Sequence, residues 1–125
     1  MFKDRQATVM IPATDVERAK RWYKEKLGVE PVRDDQYGVQ YLLGGGTHAF
    51  LYPSGYAGTA GHTLVSFASP DLRQDMADLR SRGVTFLDYD LPGLQTKDGV
   101  ADFGPVKNAW ARDSEGNILG FVEGM

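Results

Sequence analysis

His48 and His62 are the two histidines of a 125-residue chain that contains no cysteine. Imidazole titrates near neutral pH, so each is a candidate general base, ligand hydrogen-bond partner or metal donor. The missing thiols exclude a cysteine nucleophile and a disulfide framework, and fit a reducing compartment. His48, Phe50 and Tyr52 alternate with Ala49 and Leu51, as His62, Leu64 and Ser66 alternate with Thr63, Val65 and Phe67. In extended chain every second side chain shares a face. The first set would then place an imidazole beside two aromatic rings, a surface suited to stacking a flat or apolar molecule. Plainer readings stand beside this one: the rings as core residues, and His62 as a half-buried ring bonded to a neighbouring strand or turn. No Asp or Glu falls on the same alternating set to orient His62 as a base.

Other motifs carry less chemistry. Gly44-Gly45-Gly46 is followed by neither a Lys-Ser/Thr pair nor a helix start, so it reads as a turn rather than a phosphate cradle. Asp113-Ser114-Glu115-Gly116-Asn117 is too short for a calcium loop and reads as a hairpin turn with Gly116 at positive φ. A formal net charge of −3 with both signs interspersed leaves no basic stripe for phosphates. Nucleic acid is therefore not an expected partner. No run approaches the roughly 20 apolar residues of a bilayer span, and no apolar stretch follows the charged start Met1–Gln6. The expectation is a soluble, cytoplasmic protein with no membrane partner, large enough to bury its own core.

Two stretches supply the elements that must position these residues. Ala7–Val29 and His62–Val84 share one plan of strand, capped helix and Gly-Val exit. In the first, Val9 and Ile11 alternate with Met10 and Pro12, and Thr14 and Glu17 have the spacing of a capping box. Val16, Ala19, Tyr23 and Leu27 form the helical stripe, and Gly28 ends it. In the second, Ser69 is the expected N-cap, Pro70 the first helical residue, Leu72, Met76 and Leu79 the stripe, and Gly83 the stop. Three strands are expected after the first helix, over 29–33, 37–43 and 47–52, and three after the second, over 85–89, 106–112 and 117–122. The irregular segment 90–105 reads as a partial lid. Duplication of one plan predicts a single α+β domain of two βαβββ modules, 1–53 and 62–125, joined by a Gly, Ser and Ala-rich linker over 54–61.

This order and spacing resemble the vicinal oxygen chelate superfamily, which includes glyoxalase I, bleomycin-resistance proteins, extradiol dioxygenases and fosfomycin-resistance enzymes. The matching segments are Asp15-Val16-Glu17-Arg18-Ala19 at the helix start, Trp22-Tyr23 and Leu27-Gly28 near its end, His62 opening the second module, and the turn from Asp113 to Ile118. The resemblance covers nearly the whole chain and is specific for the superfamily, not for an activity within it. It implies that the two modules form a cup-shaped mixed sheet. It also implies a homodimer, since members commonly pair and some build each cup from two chains.

In the metal-dependent members a divalent ion sits in the cup on side chains from the first and last strands of each module. Carried onto this chain, those positions fall on Thr8, Phe50, His62 and Gly120. His62 alone could be a donor, whereas a catalytic site needs about three. No metal or other cofactor is expected; His48 and His62 with Tyr52 would make a poor, uncharged alternative. The resemblance thus implies a ligand-binding cup of Met10, His48, Phe50, Tyr52, His62, Leu64 and Trp110, with His62 as the candidate catalytic residue if a reaction follows. Which way Trp110 and Tyr41 face is open. The expected function is binding of a small apolar or aromatic molecule. The alternative is an enzyme, either a metal-dependent lyase, isomerase or dioxygenase or a metal-free isomerase with His62 as base.

Overall fold

The computed structural model describes residues 1–125. The first module runs β1 (Thr8–Ala13), α1 (Val16–Leu27), β2 (Arg33–Asp35), β3 (Gly38–Leu42) and β4 (His48–Pro53), with a 3-10 turn at Gly44–Gly46. Its sheet has the order β1-β4-β3-β2, with β1 parallel to β4 and the other pairs antiparallel. The second module runs β5 (Thr63–Ala68), α2 (Leu72–Ser81), a small hairpin of β6 (Asp90–Leu91) and β7 (Leu94–Gln95), then β8 (Ala101–Asp102), β9 (Lys107–Arg112) and β10 (Ile118–Glu123). Its order, β5-β10-β9-β8 with β5 parallel to β10, repeats that of the first. The chain is an α+β fold of two βαβββ-like modules, each with a mixed sheet.

Both helices start one or two residues later than their sequence signals imply. Asp15, not Thr14, caps α1 by accepting from the Arg18 N–H, and Thr14 instead donates to Glu115. Asp71, not Ser69, caps α2 through the Gln74 N–H, while the Ser69 hydroxyl accepts from the Asp71 N–H and donates to Asp75. Aspartate competes well for both caps. At the other end of α1, Gly28 sits at φ 68° and its N–H returns to the Lys24 carbonyl. That left-handed residue frees the Val29 N–H to bond Tyr23, and Pro31 has no N–H to give, so the strand expected over 29–33 becomes regular only at Arg33.

The strand expected over 85–89 is replaced by a single bridge between Phe86 and Ala111 and a bond from the Leu87 N–H to the Trp110 carbonyl. The chain then leaves the sheet for the β6–β7 hairpin and returns as β8. Asp88 holds both sides of the excursion, accepting from the Thr96 hydroxyl and the Gly99 N–H at 2.8 and 2.9 Å. These bonds, the Thr96 bond foremost, lower the Asp88 pKa.

One continuous core joins the modules. Tyr23 and Ala19 of α1 pack with Ile11, Val39, Tyr41 and Leu51, and Leu72, Met76 and Leu79 of α2 pack with Phe86, Leu119 and Phe121. Each fully buried large apolar side chain contributes roughly 1.5–3 kcal/mol. Tyr41, left open by the sequence, therefore lies on the helix-facing side. Its buried hydroxyl has no hydrogen-bond partner, and burial pushes it up to about 12.

The turn between β9 and β10 clamps module two onto module one. Asp113 accepts from the Tyr23 hydroxyl at 2.6 Å, from the Asn117 side chain, and from the Glu115 and Asn117 N–H groups. Burial, reinforced by the Asp113 charge, raises the Tyr23 hydroxyl well above its ordinary pKa. The Asn117 amide also donates to the Pro12 carbonyl and accepts from the Gly58 N–H. Gly58 passes so close that a Cβ there would sit 2.4 Å from the Glu115 carbonyl oxygen. Glu115 has no exposed side-chain surface and accepts from Arg18, the Asp15 N–H, Thr14 and Ser114. Arg18 foremost holds its carboxyl down at about 2, against an ordinary 4.5.

A depressed carboxyl pKa stabilises the fold fully above the unfolded value and loses that contribution as pH falls towards the folded one. Protonating Glu115 between about pH 5 and pH 2 should therefore remove about 3 kcal/mol. In urea unfolding, the stability gap between the natural protein and Glu115→Gln should close across that interval.

Candidate functional site

The face of the first sheet turned away from α1 is set by register. Met10 lies opposite Phe50, and Phe50 opposite Gln40; Thr8 lies opposite His48, and His48 opposite Leu42; Pro12 pairs with Tyr52. Their neighbours Val9, Ile11, Val39, Tyr41, Ala49 and Leu51 all belong to or pack on the core. The outward set is left largely open, with Met10 47% and Leu42 53% exposed. Phe50 and Tyr52 are half-buried and stack with centroids 6.5 Å apart and planes 8° from parallel. The Phe50 ring lies over Gly38, where a Cβ would come within 2.7 Å of the ring edge. Glycine is required there above all because the same Cβ would sit 2.4 Å from the Leu51 carbonyl oxygen. A depression of about 270 Å³ on this face is lined by Thr8, Met10, Gln40, His48, Ala49 and Phe50.

Met10, His48, Phe50 and Tyr52 therefore share one surface, as their alternation predicts. Gln40 joins them and was missed by sequence reasoning, although Val39-Gln40-Tyr41-Leu42 alternates strictly enough to have signalled it. It supplies both an amide donor and an acceptor beside the two rings.

The second sheet departs from simple alternation. Thr63 pairs with Ile118 but Val65 with Leu119, so the register shifts and Leu64 is an extra residue in β5. Such a bulge breaks the two-residue period. Leu64 packs half-buried against the core, and Thr63, opposite Ile118 as Thr8 is opposite His48, takes the place in the row that counting back from Ser66 gives to Leu64, leaving His62 outside the paired strand. A Cβ on Gly120 would meet Thr63 Cγ2 and Ser66 Oγ, each at 3.1 Å. His62 itself lies exposed just before β5, with Nδ1 3.1 Å from the Thr63 carbonyl oxygen. A proton on Nδ1 would serve that contact and leave Nε2 as an acceptor. No carboxylate bonds the ring.

Trp110 lies opposite Gly120, which pairs with Ser66, so it belongs to the face turned away from α2. Tyr89, at the root of the β6–β7 excursion, meets its ring edge-on at 5.4 Å. Ile118 and Val122 of the same face are buried but stand outside the main core cluster. Module two thus presents an aromatic pair on a filled apolar bed, and module one an aromatic pair on an open one. The depression beside Phe50 is bordered by module-one residues alone, and Leu64, His62 and Trp110 are not among them.

The positions that would hold a divalent ion do not fit one. Thr8, Phe50 and Gly120 bring no imidazole or carboxylate, and Gly120 has no room for a longer side chain without displacing Thr63 or Ser66. No group of three or more His, Cys, Asp or Glu side chains is placed to hold a metal ion. No helix is long and apolar enough to cross a membrane.

The Glyoxalase/Bleomycin resistance protein/Dioxygenase superfamily model matches residues 5–121. The fold is similar to that of UcmS2, at 20% identity and TM-score 0.77 over 96% of this chain and 98% of that one. It is also similar to TnmS3, an antibiotic binding protein from Streptomyces sp. CB03234, at 22% identity and TM-score 0.71 over 100% and 99%. A glyoxalase/bleomycin resistance protein/dioxygenase from Alicyclobacillus acidocaldarius matches at 17% identity and TM-score 0.71 over 98% and 92%. No curated protein matches the sequence. With the duplicated module, its strand order and the family match over almost its whole length, the chain belongs to the Glyoxalase/Bleomycin resistance protein/Dioxygenase superfamily.

Proposed function

We propose that this protein binds a small, flat, largely apolar organic molecule in a metal-free cup, and that the cup is completed by a second copy of the chain. The stacked Phe50–Tyr52 pair, half-buried on an open sheet face with no metal donor set around it, carries this reading. Aromatic faces offer large contact area at little entropic cost, and Gln40, His48 and Thr8 stand close enough to fix a ligand's polar edge. The antibiotic-binding relative TnmS3 supports a binding role over catalysis. His62, exposed and without a carboxylate, is a weak base candidate and contributes at most a hydrogen bond.

A homodimer is supported by what one chain leaves unfinished. The module-one face exposes apolar surface at Met10 and Leu42, and β1 and β5 each end their sheet with a free edge. Natural edges and patches of this kind are normally covered. Setting the Phe50 face of one copy against the Trp110 face of the other would cover both and sandwich the ligand between aromatic walls. Light scattering should then give twice the chain mass of 13.8 kDa. A monomer at micromolar concentration would contradict it. The absence of cysteine and the interspersed charges support a cytoplasmic setting without nucleic-acid or membrane partners.

Trp22 and Trp110 are the only tryptophans, so a Trp22→Phe background makes fluorescence a reporter of Trp110. Titration with anilinonaphthalene sulfonate and with an anthraquinone should quench it saturably, in EDTA as well as without. Failure of both planar probes to quench Trp110, or quenching only after a metal is added, would count against the reading.

A further inference from the structure

We propose that the groove between the two modules is a second small-molecule site that takes an organic cation with an apolar body. This groove, of about 490 Å³, has Phe67 and Phe121 in its floor, with Leu79 beside them and Leu43 on the module-one side. The two phenyl rings stack at 5.8 Å. Both belong to the helix-facing side of β5 and β10, whereas Trp110 and Gly120 mark the opposite side. The groove and the proposed cup therefore use opposite faces of the second sheet. Its volume lies within the usual range for small-molecule pockets.

The charges around it select the ligand. Asp75 and Asp78, three residues apart on α2, line one wall, and neither forms an ion pair anywhere in the chain. Asp75 accepts a neutral bond from Ser69, and Asp78 one from Gln74. The two cations at the groove, Lys26 and Arg82, are turned to backbone instead: each donates to the other's carbonyl oxygen, tying the C-terminal ends of α1 and α2 together. Carboxylates without an ion pair beside an aromatic and aliphatic lining suit an ammonium group on a hydrophobic frame, which gains both ion pairing and apolar contact. With Glu30 also at the groove, acids outnumber the two backbone-bound cations and disfavour an anion, and a neutral apolar molecule would strip water from the carboxylates without replacing it.

The test is a titration of benzyltrimethylammonium into the 15N-labelled protein, followed by amide shifts. The expected shifts centre on Val29, Leu43, Asp75 and Leu79, leaving Thr8, Gln40 and Phe50 unmoved. Asp75→Asn with Asp78→Asn should weaken binding by about tenfold. Asp78→Asn alone, at an exposed position where the amide oxygen can still accept from Gln74, should weaken it by about threefold. Benzenesulfonate should leave the groove amides unmoved. Absence of groove shifts, shifts confined to the Phe50 face, or equal affinity in the aspartate variants would overturn the proposal. Shifts at the Phe50 face would report the cup and not the groove, and quenching of Trp110 by planar probes reads the cup alone, so the two sites stand or fall separately.

Discussion

Asp113→Ala should cost about 3–5 kcal/mol in urea unfolding. The carboxylate is 5% exposed and serves four donors at once: the Tyr23 hydroxyl, the Asn117 side chain, and the N–H groups of Glu115 and Asn117. Truncation leaves all four in a space that water enters poorly. An unmade buried hydrogen bond costs about 1–3 kcal/mol, and the losses here are coupled because Asn117 also holds Pro12 and Gly58. Tyr23→Phe is the informative contrast. It removes one donor and leaves Asp113 three, so it should cost only about 1–2 kcal/mol. If Asp113→Ala cost no more than Tyr23→Phe, the turn would not be the clamp between modules that its hydrogen bonds describe.

The second large effect is on binding. Replacing Phe50 and Tyr52 together by Ala should weaken a planar probe by about 100-fold, since each ring contributes on the order of 1–1.5 kcal/mol through stacking and burial. The cost to folding should stay below about 2 kcal/mol, because both rings are half-exposed and lie outside the main core. His62→Ala supplies the matched control. A pocket held by stacking should keep affinity to within about threefold, since one exposed hydrogen bond contributes little. Were His62→Ala to abolish a turnover while leaving binding intact, the enzyme reading would replace the binding one.

Much of this arrangement was legible in the residues themselves. The repeated strand, helix and Gly-Val exit carried the architecture because its signals are local: Gly28 closes a helix and Leu72, Met76 and Leu79 mark a stripe without reference to anything distant. The module-one face was legible for the same reason, since an unbroken β4 keeps His48, Phe50 and Tyr52 in step. His62 and Leu64 were not, because the bulge at Leu64 depends on how β5 settles against β10, and no residue type there announces it. The clamp was hidden more deeply. Asp113, Glu115 and Asn117 have the composition of a solvated turn, and only the fold brings Tyr23, Arg18 and Pro12 to them. Trp110 waited on the pairing of β9 with β10, which placed it opposite Gly120.

The central claim, that the cup works without a metal, is tested most directly by elemental analysis of the purified protein after incubation with Fe(II), Ni(II), Zn(II) and Mn(II) and desalting. Thr8, Phe50, Thr63 and Gly120 offer no charged or imidazole donor, so no stoichiometric retention is predicted for any of the four ions. Retention of about one ion per chain would contradict the account, because a donor set would then have to assemble from His48, His62 and a second copy of the chain, and the enzyme reading would lead.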